Sequence, residues 1–251
     1  MNSSTRSAVL VIAGSDSSGG AGISRDLYTL NDFNVAGLCA LTAVTAQSNT
    51  QVAASHCLPP ALIQQQIRSA FATRRIAAIK IGMLGTAAIV QAVAQCLPSR
   101  EHIPIVLDPV LSSSSGTALL DEAGVNALRE QLLPLATVAT PNLMEAAALL
   151  RETLATHEAT QLDQAQRLLQ LGSHAVLLKG GHAQHHEACD LLVTAHTSPL
   201  RLTAPRIMAN LRGTGCALAS AIAASLAADL PLPEACRRAK QYVLKQLRNA
   251  I

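Results

Sequence analysis

Aromatic side chains are nearly missing from this 251-residue chain: Phe33, Phe71, Tyr28 and Tyr242 are the whole set, and there is no tryptophan. Stacking platforms for single-stranded nucleic acid are therefore out of reach. Strong charge is missing too. Nineteen Lys and Arg face sixteen Asp and Glu, a formal net charge of +3, far short of the cationic footprint of a nucleic-acid binder. No stretch approaches the roughly 20 consecutive apolar residues of a membrane span. An apolar run near the N-terminus, Ala8 to Ala13, is cut by Gly14-Ser15-Asp16 and is too short for a signal peptide, so it reads as a buried first strand. The six cysteines (Cys39, Cys57, Cys96, Cys189, Cys216, Cys236) form no CxxC pair, which argues against a zinc ribbon or a disulfide framework. The expectation is a cytoplasmic protein that binds neither nucleic acid nor membrane.

What the chain does have is apolar mass. Hydrophobic residues make up 49% against 14% charged, a ratio that excludes intrinsic disorder. A chain of this length buries roughly 70–75% of its unfolded surface, enough for one sizeable core. Short apolar runs predict strands at 8–13, 41–46, 77–81, 105–107, 137–140, 175–178 and 191–194. Amphipathic stretches predict helices at 22–34, 60–73, 86–96, 121–132, 142–150, 160–171, 213–228 and 233–249. Continuous Val/Ile/Leu strands alternating with helices indicate a mainly parallel sheet covered on both faces. With no repeat and no linker, the reading is one α/β domain over 1–251, a three-layer α/β/α architecture.

In such sheets ligands bind in the crevice at the carboxyl ends of the strands, so the residues just after each strand matter most. They run Gly14-Ser-Asp-Ser-Ser-Gly-Gly-Ala-Gly22, Gln47, Gly82-Met83, Asp108-Pro109, Pro141-Asn142-Leu-Met-Glu145 and Lys179-Gly-Gly-His182. Glycines and polar groups from distant parts of the chain would meet on one edge.

Gly213-Thr214-Gly215-Cys216 opens a predicted helix. Glycines let the backbone approach a ligand, and the unbonded N–H groups of a helix start form an anion hole. A thiol in that first turn is expected to have a lowered pKa and could take a proton from a substrate hydroxyl while the helix start holds a transferred phosphoryl group. An inert buried cysteine behind a glycine-rich loop fits the same spacing. Asp108 and Glu145 supply hard oxygens of the kind Mg²⁺ takes in ones and twos beside substrate phosphates. Asn142-x-x-Glu145 also reads as a helix capping box, and the two roles can coexist. Lys179 either faces phosphate or is an ordinary solvated charge. Asp26, one turn into the first helix, reads by default as a solvated acid favoured by the helix dipole. Gln47 either meets the edge of a heteroaromatic ring or is a satisfied core amide.

No Gly-x-x-x-x-Gly-Lys-Ser/Thr occurs, so this is not a P-loop enzyme, and Gly19, Gly20 and Gly22 do not fit the dinucleotide fingerprint. His182, His185 and His186 with Cys189 read as a polar turn rather than a metal site.

Taken together and in order, Ala13-Gly-Ser-Asp-Ser-Ser-Gly-Gly-Ala-Gly-Ile23, Lys80-Ile-Gly-Met-Leu84, Leu107-Asp-Pro-Val110, Thr140-Pro-Asn-x-x-Glu145, Lys179-Gly-Gly-His182 and Gly213-Thr-Gly-Cys216 resemble the hydroxymethylpyrimidine/phosphomethylpyrimidine kinases. These are the thiamin-pathway members of the ribokinase-like superfamily. The resemblance implies a ribokinase-like fold and ATP-dependent phosphorylation, with Mg²⁺, of 4-amino-5-hydroxymethyl-2-methylpyrimidine and then of its monophosphate. It also carries the expectation of a homodimer. It implies an anion hole at Gly213, Thr214 and Gly215, with Cys216 as the proton acceptor, at a position where relatives in the superfamily commonly have Asp. Asp26 and Gln47 match positions that hydrogen-bond the aminopyrimidine, and Gly14, Ala21, Met83 and Val110 match positions lining its ring. Asp108 and Glu145 fall on the metal side, with Lys179 and Asn142 near the nucleotide. The chain departs from the family at Asn210-Leu211-Arg212, where Asn-Thr-His or similar is usual, and in the Ser112–Ser115 flap, where a Lys is common. Arg212 is therefore expected to supply positive charge on the nucleotide side. A pyridoxal kinase of the same superfamily and a non-catalytic pyrimidine-binding protein are the alternative readings.

Overall fold

The computed structural model describes residues 8–113, 116–180, 187–209 and 211–250. Its frame is a nine-stranded sheet. The first strand, β1 (Ala8–Asp16), is buried almost throughout and lies centrally, with β2 (Ala36–Gln47) parallel on one side and β4 (Ile76–Ile81) parallel on the other. Beyond β4 come β5 (Ile105–Leu107), β6 (Val138–Ala139) and β7 (Ala175–Leu178), all parallel. Antiparallel strands finish both edges: β3 (Val52–Cys57) on β2, and β8 (Glu187–Thr194) then β9 (Leu200–Pro205) on β7.

The strand alternation divides the core into two layers. Leu10, Ile12, Ile79, Ile81, Ile105 and Leu107 face one side. There they meet α2 (Pro60–Thr73), α3 (Ala87–Ala94), α5 (Leu143–Leu150) and α6 (Glu158–Gln170). Val9, Val11, Ala13, Ala78, Val106 and Leu177 face the other side and meet α1 (Gly22–Asp32), α7 (Thr214–Leu226) and α8 (Leu232–Arg248). α7 is buried along Ala217–Ser225, and its run of small residues lets it approach the sheet closely. This is the three-layer α/β/α arrangement expected.

The departures lie in exposed or irregular parts. β3 and β9 are largely solvent-facing, so neither has the apolar pattern of a buried strand. The helix expected over 121–132 is capped by Asp121, whose Oδ1 accepts from the Gly124 N–H at 2.6 Å. It is α-helical only at α4 (Glu122–Ala127) and then loosens through a π turn, 128–132, into a 3₁₀ turn, 133–135, at Pro134. His182, His185 and His186 lie outside the described residues.

Candidate active site

Three strand ends and one helix start converge. Asp108 follows β5 and is buried. Its Oδ1 accepts from Lys179 Nζ at 2.9 Å and from Thr140 Oγ1 at 3.2 Å. Burial pushes this carboxyl up, but Lys179 and Lys80 outweigh it and hold Asp108 below the usual carboxylate range. Lys179, at the end of β7, is drawn in by main-chain pairing: its N–H donates to Pro141 O at 2.8 Å. Its ammonium also lies 3.8 Å from Glu145 Oε2. Burial pulls the Lys179 value down, yet Asp108 and Glu145 carry it above that of an ordinary amine.

Glu145 does two things at once. Asn142 Oδ1 accepts from the Glu145 N–H at 2.8 Å, and Glu145 Oε2 accepts from the Asn142 N–H at 2.7 Å, a complete capping box at the start of α5. The same carboxyl faces Lys179. Burial raises its pKa to about 7, with Asp108 adding to the rise and Lys179 opposing it.

The start of α7 meets this acid–lysine group directly. A Cβ on Gly215 would lie 3.3 Å from Lys179 Nζ and 3.8 Å from Asp108 Oδ2, so the backbone passes against both. Gly213 has φ +72°, and a Cβ there would strike Gly20 O at 2.3 Å. The left-handed backbone and the close loop contact both require glycine at this position. The N–H groups of the first turn of α7 have no intrahelical acceptor. Cys216 sits in that turn, half-buried.

Of the residues expected to line a ring, Ala21 lies against the start of α7. Ala21 Cα would be 3.1 Å from a Cβ on Gly213, and Gly14 packs on Met83, whose Sδ would be 2.8 Å from a Cβ on Gly14. Met83 O accepts from Thr42 Oγ1 at 2.6 Å, which fixes its backbone. Val110 is half-buried just beyond Asp108. Gln47 closes β2 with its main chain paired to Ser17 Oγ in both directions, at 2.8 and 2.9 Å. Its Oε1 accepts from Thr45 Oγ1 at 3.3 Å, and its amide nitrogen makes no bond among the described residues.

One helix start thus meets the Asp108–Lys179 group through Gly215 and the β1–α1 loop through Gly213. The family described as phosphomethylpyrimidine kinase matches residues 16–251. The chain belongs to the phosphomethylpyrimidine kinase family. A hydroxymethylpyrimidine/phosphomethylpyrimidine kinase of Rhizobium meliloti is 44% identical over 235 residues, 93% of this chain and 88% of that protein. The crystal structure of the phosphomethylpyrimidine kinase from Clostridium difficile is 34% identical, with TM-score 0.83, covering 96% of this chain and 100% of that one. The pyridoxal kinase from Staphylococcus aureus in complex with pyridoxal is 31% identical, with TM-score 0.88, covering 97% and 88%.

Two expectations change for this member of the phosphomethylpyrimidine kinase family. Asp26 is not the solvated acid that its place one turn into a helix suggests. It is fully buried, with Oδ2 accepting from Lys80 Nζ and Oδ1 from Ser220 Oγ, both at 2.8 Å. Cys216 does not have the lowered pKa expected of a thiol at a helix start. Burial raises it to about 11, against the pull of Lys80, with Asp26 and Asp108 adding to the rise. Arg212 is held by the loop after β1 and the β2–β3 turn. Its guanidinium lies 3.2 Å from Asp16 Oδ2 and donates to Ser18 Oγ and Ser48 O, each at 2.9 Å. It ties the loop after β1 to the β2–β3 turn.

Sequence reasoning missed Lys80, Ser220 and Thr140. For Lys80 the signal was present: a lysine inside the apolar strand Ile76–Ile81 has to find a buried anion. Asp26, three residues after Ile23 and four before Leu30 on the buried side of α1, was the acid in position to supply it.

Proposed function

We infer that this chain transfers the γ-phosphoryl group of ATP to the hydroxymethyl oxygen of 4-amino-5-hydroxymethyl-2-methylpyrimidine, and then phosphorylates the monophosphate, as a thiamin-pathway kinase. The observation that carries the reading is the position of α7. Its first turn touches Lys179 and Asp108 through Gly215 and the β1–α1 loop through Gly213, so one helix start serves both reactants. The hydroxyl oxygen bonds to the γ-phosphorus, the bond to the β–γ bridging oxygen breaks, ADP leaves, and the hydroxyl proton passes to Cys216 in its thiolate form, giving the thiol. Phosphoryl transfer asks the protein mainly for positioning and charge stabilisation. The unbonded N–H groups at 214–216 and the Lys179 ammonium supply the positive charge.

The donor set suits magnesium. Asp108 and Glu145 each keep one carboxylate oxygen outside the hydrogen bonds described, and Mg²⁺ characteristically takes one or two carboxylates with substrate phosphates. Held by these two acids, the ion would neutralise charge on the nucleotide phosphates. Gln47 would pair its free amide nitrogen with a ring nitrogen, beside Met83, Val110, Gly14 and Ala21. The same reading takes residues 1–251 as one kinase domain acting as a cytoplasmic homodimer.

The likeness to a pyridoxal kinase makes pyridoxal the competing substrate. Side-by-side steady-state kinetics are expected to give a kcat/KM for the aminopyrimidine at least about tenfold above that for pyridoxal, equivalent to ~1.4 kcal/mol of transition-state preference. The reverse preference would overturn the assignment.

Glu145 gives a second expectation. Its value near 7 means that it takes a proton as the ligand-free protein is acidified below that pH, whereas a magnesium-bound nucleotide requires the carboxylate. Affinity for Mg²⁺–ADP is therefore expected to weaken below pH 7, approaching tenfold per unit. Calorimetric titration from pH 5.5 to 8 reads this directly, and Glu145→Gln should bind weakly with no such slope. An acid slope that persists in Glu145→Gln would remove the assignment.

A further inference from the structure

The loop after β1 and the β2–β3 turn contain almost nothing that packing could hold. The first reads Ser15-Asp-Ser-Ser-Gly-Gly-Ala-Gly22 and the second Ser48-Asn-Thr-Gln51, with Ser17, Ser18 and residues 48–50 exposed. Without large apolar side chains to bury, their shape has to come from polar bonds. Those bonds gather on Arg212, the residue just ahead of Gly213. One guanidinium nitrogen donates to Ser18 Oγ and to Ser48 O, each at 2.9 Å, and the other lies 3.2 Å from Asp16 Oδ2. Asp16 is buried at the end of β1, and its Oδ1 accepts from the N–H and the hydroxyl of Ser18 at 2.9 and 2.8 Å. Its Oδ2 faces Arg212 and accepts no hydrogen bond from another described residue. Ser48 in turn organises the β2–β3 turn: its N–H donates to Gln51 O at 3.0 Å, and its hydroxyl accepts from the Gln51 N–H at 3.2 Å. Between these anchors lies Gln47, its main chain tied to Ser17 Oγ on one loop and followed directly by Ser48 on the other. The Arg212 side chain is itself only 13% exposed, so it is an enclosed tie and not a solvated surface charge.

We propose that Arg212 is a positioning residue for ring recognition: by bonding the loops on both sides of Gln47 to the start of α7, it sets the Gln47 amide in place before the substrate arrives. This rests on the reading of Gln47 as a ring contact. Without the tie, the exposed turn and the half-buried Gln47 would have to be ordered as the ring binds, and that ordering is subtracted from affinity. The shape of the group matters as well as its charge. A guanidinium presents its donors in a planar fork and reaches carboxylate, hydroxyl and carbonyl at once, whereas a lysine ammonium is a compact point charge. The nucleotide side is the other place where such a cation could serve, and binding measurements separate the two.

The test is calorimetric binding of 4-amino-5-hydroxymethyl-2-methylpyrimidine, and separately of Mg²⁺–ADP, to the full chain and its variants. Arg212→Met is expected to weaken the pyrimidine about tenfold, the scale of one hydrogen bond from a charged group. Mg²⁺–ADP affinity should stay within about twofold of wild type in the same variant, because only the ring contact is disturbed. Gln47→Ala should also weaken the pyrimidine. In that background Arg212→Met should add less than about a further twofold, since residues acting through one contact are not additive. A merely structural Arg212 would lower both affinities and add its full loss to that of Gln47→Ala; either result overturns the proposal, as does a loss confined to Mg²⁺–ADP. If Gln47→Ala binds weakly and Arg212→Met binds as wild type, the proposal fails and the ring reading of Gln47 stands. If Gln47→Ala itself binds as wild type, the ring reading fails and the proposal with it. Should Arg212→Met not fold, Arg212→Lys, which keeps a charge opposite Asp16 but not the fork, carries the same expectations.

Discussion

Cys216→Ala is expected to lower kcat by about 10²–10⁴-fold, the range lost when a positioned proton acceptor is removed, while unfolding stability changes by no more than about 1 kcal/mol. No neighbouring group can take over. Asp108 is held ionised against Lys179 and is poorly basic, and Asp26 is sealed between Lys80 and Ser220. The raised thiol adds a pH signature. With its value near 11, only a small share is thiolate at neutral pH, so kcat/KM of the wild type should climb with pH through 7–10. Cys216→Asp replaces the thiol with an acid whose ordinary value is ~3.9, so it should recover part of the lost rate and flatten that climb. Steady-state kinetics of the three proteins from pH 6 to 10 make the comparison. Near-wild-type turnover in the alanine variant, or an unchanged alkaline climb in the aspartate variant, would remove Cys216 as the acceptor.

The contrast between the thiol's position and its acidity shows where sequence reasoning succeeds and stops. Strand ends are readable because a buried parallel strand is a continuous apolar run and its end is the first polar residue. Asp108, Glu145 and Lys179 are legible in that way and the Gly213–Cys216 turn by its glycines at a helix start, and the folded chain brings the three charged groups and Gly215 together. Burial depth is not readable in the same way. The helix start was seen and its dipole was credited with acidifying Cys216, but the desolvation that outweighs the dipole comes from packing α7 against α1 and β4. The burial of Asp26 is hidden for the same reason. One polar residue near a helix start looks solvated until the partner strand, more than fifty residues away, delivers a lysine to it. The partner of Arg212 is hidden in the same way: Asp16, on the loop after β1, is nearly two hundred residues away in the chain. The edge strands β3 and β9 escaped because their side chains mostly face water and leave no periodic apolar trace.

Asp26→Ala is expected to cost about 3–5 kcal/mol of stability, because it leaves the Lys80 ammonium enclosed without a counter-charge. That is a large part of the ~5–15 kcal/mol that holds a typical domain folded, and urea unfolding should show it as a large drop in midpoint. Lys80→Met/Asp26→Asn removes both charges, keeps the volume and should lie within about 1.5 kcal/mol of wild type. The pair then shows strong coupling although it contributes little net stability. The deficit of Asp26→Ala should also depend on pH in one direction. In the wild type Asp26 is the strongest charge acting to hold the Lys80 value above its ordinary 10.5, so the lysine stays charged at every pH where the protein is folded. Without Asp26, burial pulls that value below the unfolded one. The folded variant then binds fewer protons than the unfolded chain as pH rises, and stability increases with pH. The gap between Asp26→Ala and wild type should therefore narrow from pH 7 toward pH 10. A gap below about 1 kcal/mol at pH 7, or one that widens with pH, would mean that Lys80 finds its compensation elsewhere and that the Asp26 contact is incidental.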